Sequence, residues 1–105
     1  MLLNYLKSQV DNLIKNQVIS LENNIDLNDI KETGIYSQVQ QYHEVLNYPN
    51  AFSRTYNFTL QVIKMIGYPC IQQILISNDV IFVRTYSEHN QTWSKWNKCL
   101  QEYIK

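Results

Sequence analysis

The chain has 105 residues, 45% of them hydrophobic and 17% charged, with nine basic side chains balanced by nine acidic ones. That length suits one small domain and is too short for two independent cores. The even charge argues against nucleic acid as a partner, since phosphate binding needs a surplus of Lys and Arg on one face and only Lys95, Lys98 and Lys105 gather at all.

The N-terminal MLLNYLKSQV is interrupted by Asn4, Lys7, Ser8 and Gln9 before a continuous apolar region forms, so it is not expected to act as a secretory leader. No stretch is long enough to cross a bilayer as a helix. The expectation is a soluble protein made in a cytoplasm, with no membrane partner. Cys70 and Cys99 are far apart and lack CxxC spacing, which predicts free, buried or half-buried thiols rather than a zinc or redox site.

Residues 2 to 25 read as one helix. On a helical wheel Leu2, Leu3, Leu6, Val10, Leu13, Ile14, Val18, Leu21 and Ile25 fall in one stripe, with Asn12, Lys15, Asn16, Glu22 and Asn23 outside it. Such a helix is roughly 35 Å long at 1.5 Å per residue. Two arrangements bury the stripe: packing on the chain's own domain, or a short parallel coiled coil between copies. The remainder of the chain has few residues to spare for covering so long a helix, so a coiled coil is expected. Its oligomerisation seam comprises Leu6, Val10, Leu13, Gln17 and Leu21. Apolar residues at both seam positions, with a polar Gln between, favour three strands over two.

After Asn23-Asn24 the segment IDLNDIKETGIY predicts one short turn, capped by Asp26 or Asn28 and carrying Leu27 and Ile30. Gly34 is expected to take the left-handed conformation that ends it, before Ile35-Tyr36 extend. The aspartates do not make an EF-hand, whose sixth and twelfth positions would be Gly and Glu where Lys31 and Ser37 stand. Between Ser37 and Tyr56, Val39, Tyr42, His43 and Leu46 fit either a helix or a strand and loop, and Tyr48-Pro49-Asn50 predicts a turn.

From Phe58 the pattern changes to strands. FTLQVIKMI and CIQQILIS are separated by Gly67-Tyr68-Pro69, and the second is separated from VIFVRTY by Asn78-Asp79, so the segment predicts a three-stranded antiparallel meander. In the third strand Val80, Phe82, Arg84 and Tyr86 share one face and Ile81, Val83 and Thr85 the other.

Several residues are candidates for binding. Trp93 and Trp96 are three apart, an odd spacing that puts them on opposite faces of a regular strand, so a bend must intervene if they act together. They either close the bottom of the meander or offer one indole to a sugar ring. Arg84 is suited to cation-π stacking, to a carboxylate pair between subunits, or to reading an anion. Six tyrosines, Tyr36, Tyr42, Tyr48, Tyr56, Tyr68 and Tyr86, carry flat apolar faces edged by hydroxyls, which suits saccharides and interfaces equally. His43 and His89 have no partner at metal-ligand spacing. No nucleophile elbow, phosphate loop or HExxH occurs. No metal, cofactor or enzymatic activity is therefore expected.

The order of a helical stalk, Asp26-Leu27-Asn28, Gly34-Ile35-Tyr36, a strand meander, Val83-Arg84-Thr85 and then Trp93 and Trp96 resembles the pyocin knob type of domain in tail fibres and receptor-binding proteins of bacteriophages and phage-like bacteriocins. The likeness covers about residues 26 to 100. The chain departs from that pattern where Glu88-His89-Asn90-Gln91 replaces a Gly-rich loop. The resemblance implies a small β-rich module, commonly trimeric, displayed on a fibre and facing bacterial surface saccharides.

Together these readings give an α+β chain: a helical stalk over residues 1–25, expected to form a trimeric coiled coil, then a small antiparallel β knob over 26–105. The expected role is a receptor-binding module of a phage or phage-like tail, with a homotrimer, other tail proteins and a host cell-wall saccharide as partners, located in the virion tail. The alternative is a structural module that trimerises or caps a fibre and has no ligand. The residues assigned to binding are Trp93, Tyr86, Arg84, His89 and Asn90, all at or beside the loop after the third strand.

Overall fold

The computed structural model describes residues 1–15, 17–39, 44–49, 57–78 and 80–99, with the backbone alone over 11–15. It is an α+β fold. The single helix among the described residues, α1 (Leu2–Lys15), begins with Tyr5 N–H donating to the Met1 carbonyl at 3.1 Å. Good helix formers such as Leu, Lys and Gln dominate it. Leu2, Leu3, Leu6 and Val10 are all exposed. The side chain of Leu13 lies outside the described residues.

The helix does not reach residue 25. Ile19–Ser20 form β1 and Ile25–Asp26 form β2. Val18 and Ile19 are β-branched and lose little by extending, and Asn24 takes a left-handed φ of 65° that no continuing helix contains. Tertiary pairing supplies the backbone partners: Leu21 N–H donates to the Ser37 carbonyl and Asn24 N–H to the Glu44 carbonyl, both at 2.8 Å. Leu21, expected on the seam, is instead buried in the core, and Gln17 is exposed beyond the end of α1. A wheel plot cannot separate these cases, because apolar residues in a short irregular segment fall on the same stripe by chance.

Asp26 caps the short turn as expected. Its Oδ1 accepts from Asn28 N–H at 2.9 Å, opening a 3-10 turn over Leu27–Asp29 that drives Leu27 and Ile30 into the core. Gly34 departs from expectation. It lies inside β3 (Gly34–Gln38) without a left-handed φ, and a Cβ there would come 3.4 Å from Cε2, Cζ and Oη of Tyr36. The glycine thus lies against the tyrosine ring within the strand and makes no turn. The ring is fixed by its hydroxyl donating to the Glu32 carbonyl at 2.8 Å.

Val45–Leu46 form β4, which pairs in parallel with β2. In the ambiguous segment around it, Val39 is exposed, Tyr42, His43, Asn50 and Tyr56 lie outside the described residues, and Tyr48 is half-buried. The expected meander is present as β5 (Phe58–Lys64), β6 (Cys70–Ser77) and β7 (Val80–Ser87), antiparallel throughout. Gly67, at φ 77°, makes the first turn. Ser77 pairs with Val80 across a two-residue connection in which Asn78 has φ 54°, as a primed hairpin turn requires.

The sheet is wider than the meander. On one side β3 pairs antiparallel with β5, and β1 pairs in parallel with β3. On the other, β8 (Thr92–Trp93) and β9 (Asn97–Lys98) both pair with β7. One face carries the core in cross-strand rows: Tyr36, Leu60, Leu75 and Phe82 in one, Gly34, Val62, Gln73 and Arg84 in the next. In the same core cluster are Leu21, Leu27 and Ile30 from the N-terminal segment and Val45 from β4. Burying a Leu- or Phe-sized side chain contributes about 1.5–3 kcal/mol, so these rows hold the sheet and the loops together.

Candidate functional site

Alternation along β7 turns Phe82, Arg84 and Tyr86 toward the covered face, so a charged residue enters the core. Arg84 is 5% exposed. Its Nε donates to Gln73 Oε1 at 2.8 Å, and Gln73, fully buried on β6, spends its own Nε2 on the carbonyls of Leu27 and Ile30 at 2.7 and 2.9 Å. One glutamine thus links the capped turn, the central strand and the arginine.

The two tryptophans reach Arg84 through a bulge. Tyr86 pairs with Trp93 and Val83 pairs with Asn97, so three steps along β7 match four along the opposing segment. The extra residue lies among Ser94, Lys95 and Trp96, which belong to no strand. It reverses the alternation, and Trp96 returns to the same face as Trp93. Ser94 secures the bulge, its N–H donating to the Thr85 carbonyl at 2.8 Å and its Oγ accepting from Thr85 N–H at 3.0 Å.

The result is a stack in which the Arg84 guanidinium carbon lies 4.0 Å from the Trp93 ring centroid and 4.4 Å from that of Trp96. Tyr86 extends the stack, 5.0 Å from Trp93, and Lys31 Nζ sits 4.2 Å from the Tyr86 centroid. Each desolvated cation-π contact contributes up to about 2 kcal/mol, which offsets part of the cost of burying Arg84. Burial lowers the Arg84 pKa to about 10, with the Asp26 carboxylate pulling in the opposite direction. The group therefore remains charged at neutral pH.

Both indoles are oriented by backbone acceptors, Trp93 Nε1 donating to the Asn28 carbonyl at 3.3 Å and Trp96 Nε1 to the Asn47 carbonyl at 2.8 Å. Asn47 holds a left-handed φ of 61°, and its Nδ2 donates to Asp26 Oδ1 at 2.7 Å. These loops form the wall facing the tryptophans. Between them lies an open cleft of about 600 Å³, lined by Asn28, Asn47, Tyr48, Arg84, Trp93, Ser94, Lys95 and Trp96. Two buried polar atoms at the cleft, Arg84 Nη2 and Asn28 Oδ1, have no hydrogen-bond partner among the described residues.

The structure therefore brings together Arg84 and Trp93, with Tyr86 stacked behind, but not all five residues assigned from sequence. Tyr86 lines a separate depression with Lys31, Glu32 and Lys64. His89 and Asn90 are exposed in the turn between β7 and β8 and line a third, with Tyr68, Pro69 and Cys70. The turn holds itself, Gln91 N–H donating to the Ser87 carbonyl at 2.7 Å and Asn90 N–H to Ser87 Oγ at 3.2 Å, and so keeps both residues away from the tryptophans. Sequence reasoning missed Gln73, Asn28, Asn47, Ser94 and Lys95. The one signal available was Gln73 itself, a polar residue between Ile71 and Leu75 on the inward phase of its strand, which Ser77 ends.

Cys70 and Cys99 are free and half-buried, as expected. Among the described residues no group of three or more His, Cys, Asp or Glu is placed to hold a metal ion, and no helix is long and apolar enough to cross a membrane. Comparison with protein-family models, curated proteins and solved structures finds no match.

Proposed function

We propose that this chain is a receptor-binding module of a phage or phage-like tail fibre, of the pyocin knob kind, which attaches to a host cell-wall saccharide. The observation that carries the reading is the cleft beside the Trp93–Arg84–Trp96 stack. It combines rigid indole surface, amide side chains of Asn28 and Asn47, the Tyr48 phenol ring and a fixed cation. Carbohydrate has the matching chemistry: C–H faces that pack on indoles and hydroxyls that exchange hydrogen bonds with amides and cations. Helix α1, with Leu2, Leu3, Leu6 and Val10 exposed, is assigned as the stalk that joins three copies. Three weak sites on one stalk reinforce each other through effective concentration.

The alternative, a module that trimerises or caps a fibre with no ligand of its own, is favoured by one observation. Both indole N–H groups are already bonded to backbone carbonyls and both rings pack on Arg84, so the stack also serves as an internal clamp. Two measurements test the proposal. Light scattering on the full chain and on a form lacking residues 1–15 is expected to give a trimer and a smaller species. Cosedimentation with purified bacterial envelope polysaccharides is expected to retain the full chain and to lose the Trp96→Ala variant. A monomer in both forms, with no polysaccharide retained, would overturn it.

A further inference from the structure

We propose that the cleft selects an anionic saccharide, a sugar ring bearing a carboxylate or a phosphoryl group, with Arg84 and Lys95 receiving the charge and Asn28 a hydroxyl. This rests on the saccharide reading above and narrows it to a charge class.

Among the described residues the lining of the cleft contains two cations, Arg84 and Lys95, and no acidic side chain. Arg84 has spent its Nε on a neutral amide, Gln73, while its Nη2 is buried without an acceptor among the described residues. Asp26, the carboxylate whose field reaches Arg84, has Oδ1 engaged by Asn28 N–H and by Asn47 Nδ2. The guanidinium is therefore held in place by two rings and one neutral oxygen, with no hydrogen-bonded counter-charge among the described residues. Hydrogen bonds to an ionised group are the stronger kind, and this donor is preorganised to make one.

A second unmet atom sets the rest of the ligand. Asn28 Oδ1 is a buried acceptor with no donor among the described residues, and Asn28 lines the same cleft. A bare anion provides acceptors but no hydroxyl for Asn28. A neutral sugar provides hydroxyls but no charge for Arg84. A hydroxylated anion satisfies both, and the indole surface takes its ring.

The chain has two tryptophans, so an ¹⁵N-labelled sample gives two indole N–H signals that report on the two sides of the stack. The full chain is titrated with glucose, glucuronate, glucose 1-phosphate, acetate and inorganic phosphate. The expected result is that both indole signals shift with glucuronate or glucose 1-phosphate at concentrations about tenfold below those needed for glucose. Lys95→Gln, an exposed change that leaves the core intact, should raise that midpoint several-fold, and the better of the two sugars identifies the source of the charge. Glucose acting at the same concentration as the charged sugars would overturn the anionic selection and leave the saccharide reading standing. Acetate or inorganic phosphate matching the sugars would overturn the requirement for a ring with hydroxyls. No shift with any of the five would overturn both this inference and the reading beneath it.

Discussion

Arg84 and Gln73 face each other across β7 and β6, paired in register and joined by a 2.8 Å hydrogen bond from the guanidinium Nε to the amide Oε1, with both side chains buried. The pair stabilises the sheet and also fixes the height at which the guanidinium meets the tryptophans, so fold and cleft share one contact.

A double-mutant cycle measures that sharing. Gln73→Leu removes the acceptor of Arg84 and the side-chain donor to the carbonyls of Leu27 and Ile30, of which Leu27 keeps the Ile30 N–H at 3.3 Å. A buried group left without its partner costs about 1–3 kcal/mol, so a loss of about 3 kcal/mol is expected in urea unfolding. The coupling with Arg84→Met should be about 1–2 kcal/mol. Additive effects of the two changes would show that the pair does not act as a unit.

Removing the bulge tests how Trp96 is delivered. Deleting Lys95 removes the extra residue, so that Trp93 and Trp96 stand two apart in a regular strand and share the covered face. The expected outcome is tryptophan emission at an unchanged wavelength and a stability change within about 1 kcal/mol. A red shift with a loss of about 3 kcal/mol, in the range for losing a buried Trp, would mean that Trp96 needs the bulge's own geometry to reach Arg84.

Alkaline stability follows from two opposed groups. Burial and the Glu32 carboxylate raise the Tyr36 phenol above its usual 10. Its contribution is therefore fully present below pH 10 and is lost as the pH rises through its folded value. Arg84 works in the opposite sense. With its pKa lowered by burial to about 10, the unfolded chain binds more protons above that value, and this group's contribution rises with pH. Tyr36→Phe should cost about 1 kcal/mol at pH 8 through the lost bond to Glu32, yet lose less further stability than the unmodified chain between pH 8 and 11. Equal losses in urea midpoint would assign the alkaline sensitivity to other groups.

The stalk assignment is tested by Leu6→Asp with Val10→Asp. Both positions are exposed on α1, so the unfolding midpoint of the β-rich part should move little at matched concentration. The mass in solution should fall to that of a monomer. A full-sized assembly in the doubly substituted chain would rule out α1 as the joining element.

Much of the fold was legible in the sequence because it depends on neighbours. The two-residue alternation of β5 to β7, the turns at Gly67 and Asn78, and the Asp26 cap are local relations, and the structure has all of them. The inward phase of β7 likewise placed Arg84 with Phe82 and Tyr86. The odd spacing of Trp93 and Trp96 required a bend, and the bulge supplies one.

What the tertiary structure alone decided involves partners far apart in the chain. The wheel pattern carried the helix to Ile25, but hydrogen bonds to Ser37 and Glu44, out of reach of any local signal, hold residues 21 to 24 out of the helix and draw Leu21 into the core. Gly34 reads as a turn residue and lies instead in β3 beside the Tyr36 ring. Gln73 joins three elements more than forty residues apart on one side, and Asn28 and Asn47 meet the tryptophans across similar separations. Composition and periodicity record which face a residue occupies within its own element. The partner across the fold is chosen by packing, which is why the arginine and both tryptophans were visible in the sequence and the amide wall that completes their cleft was not.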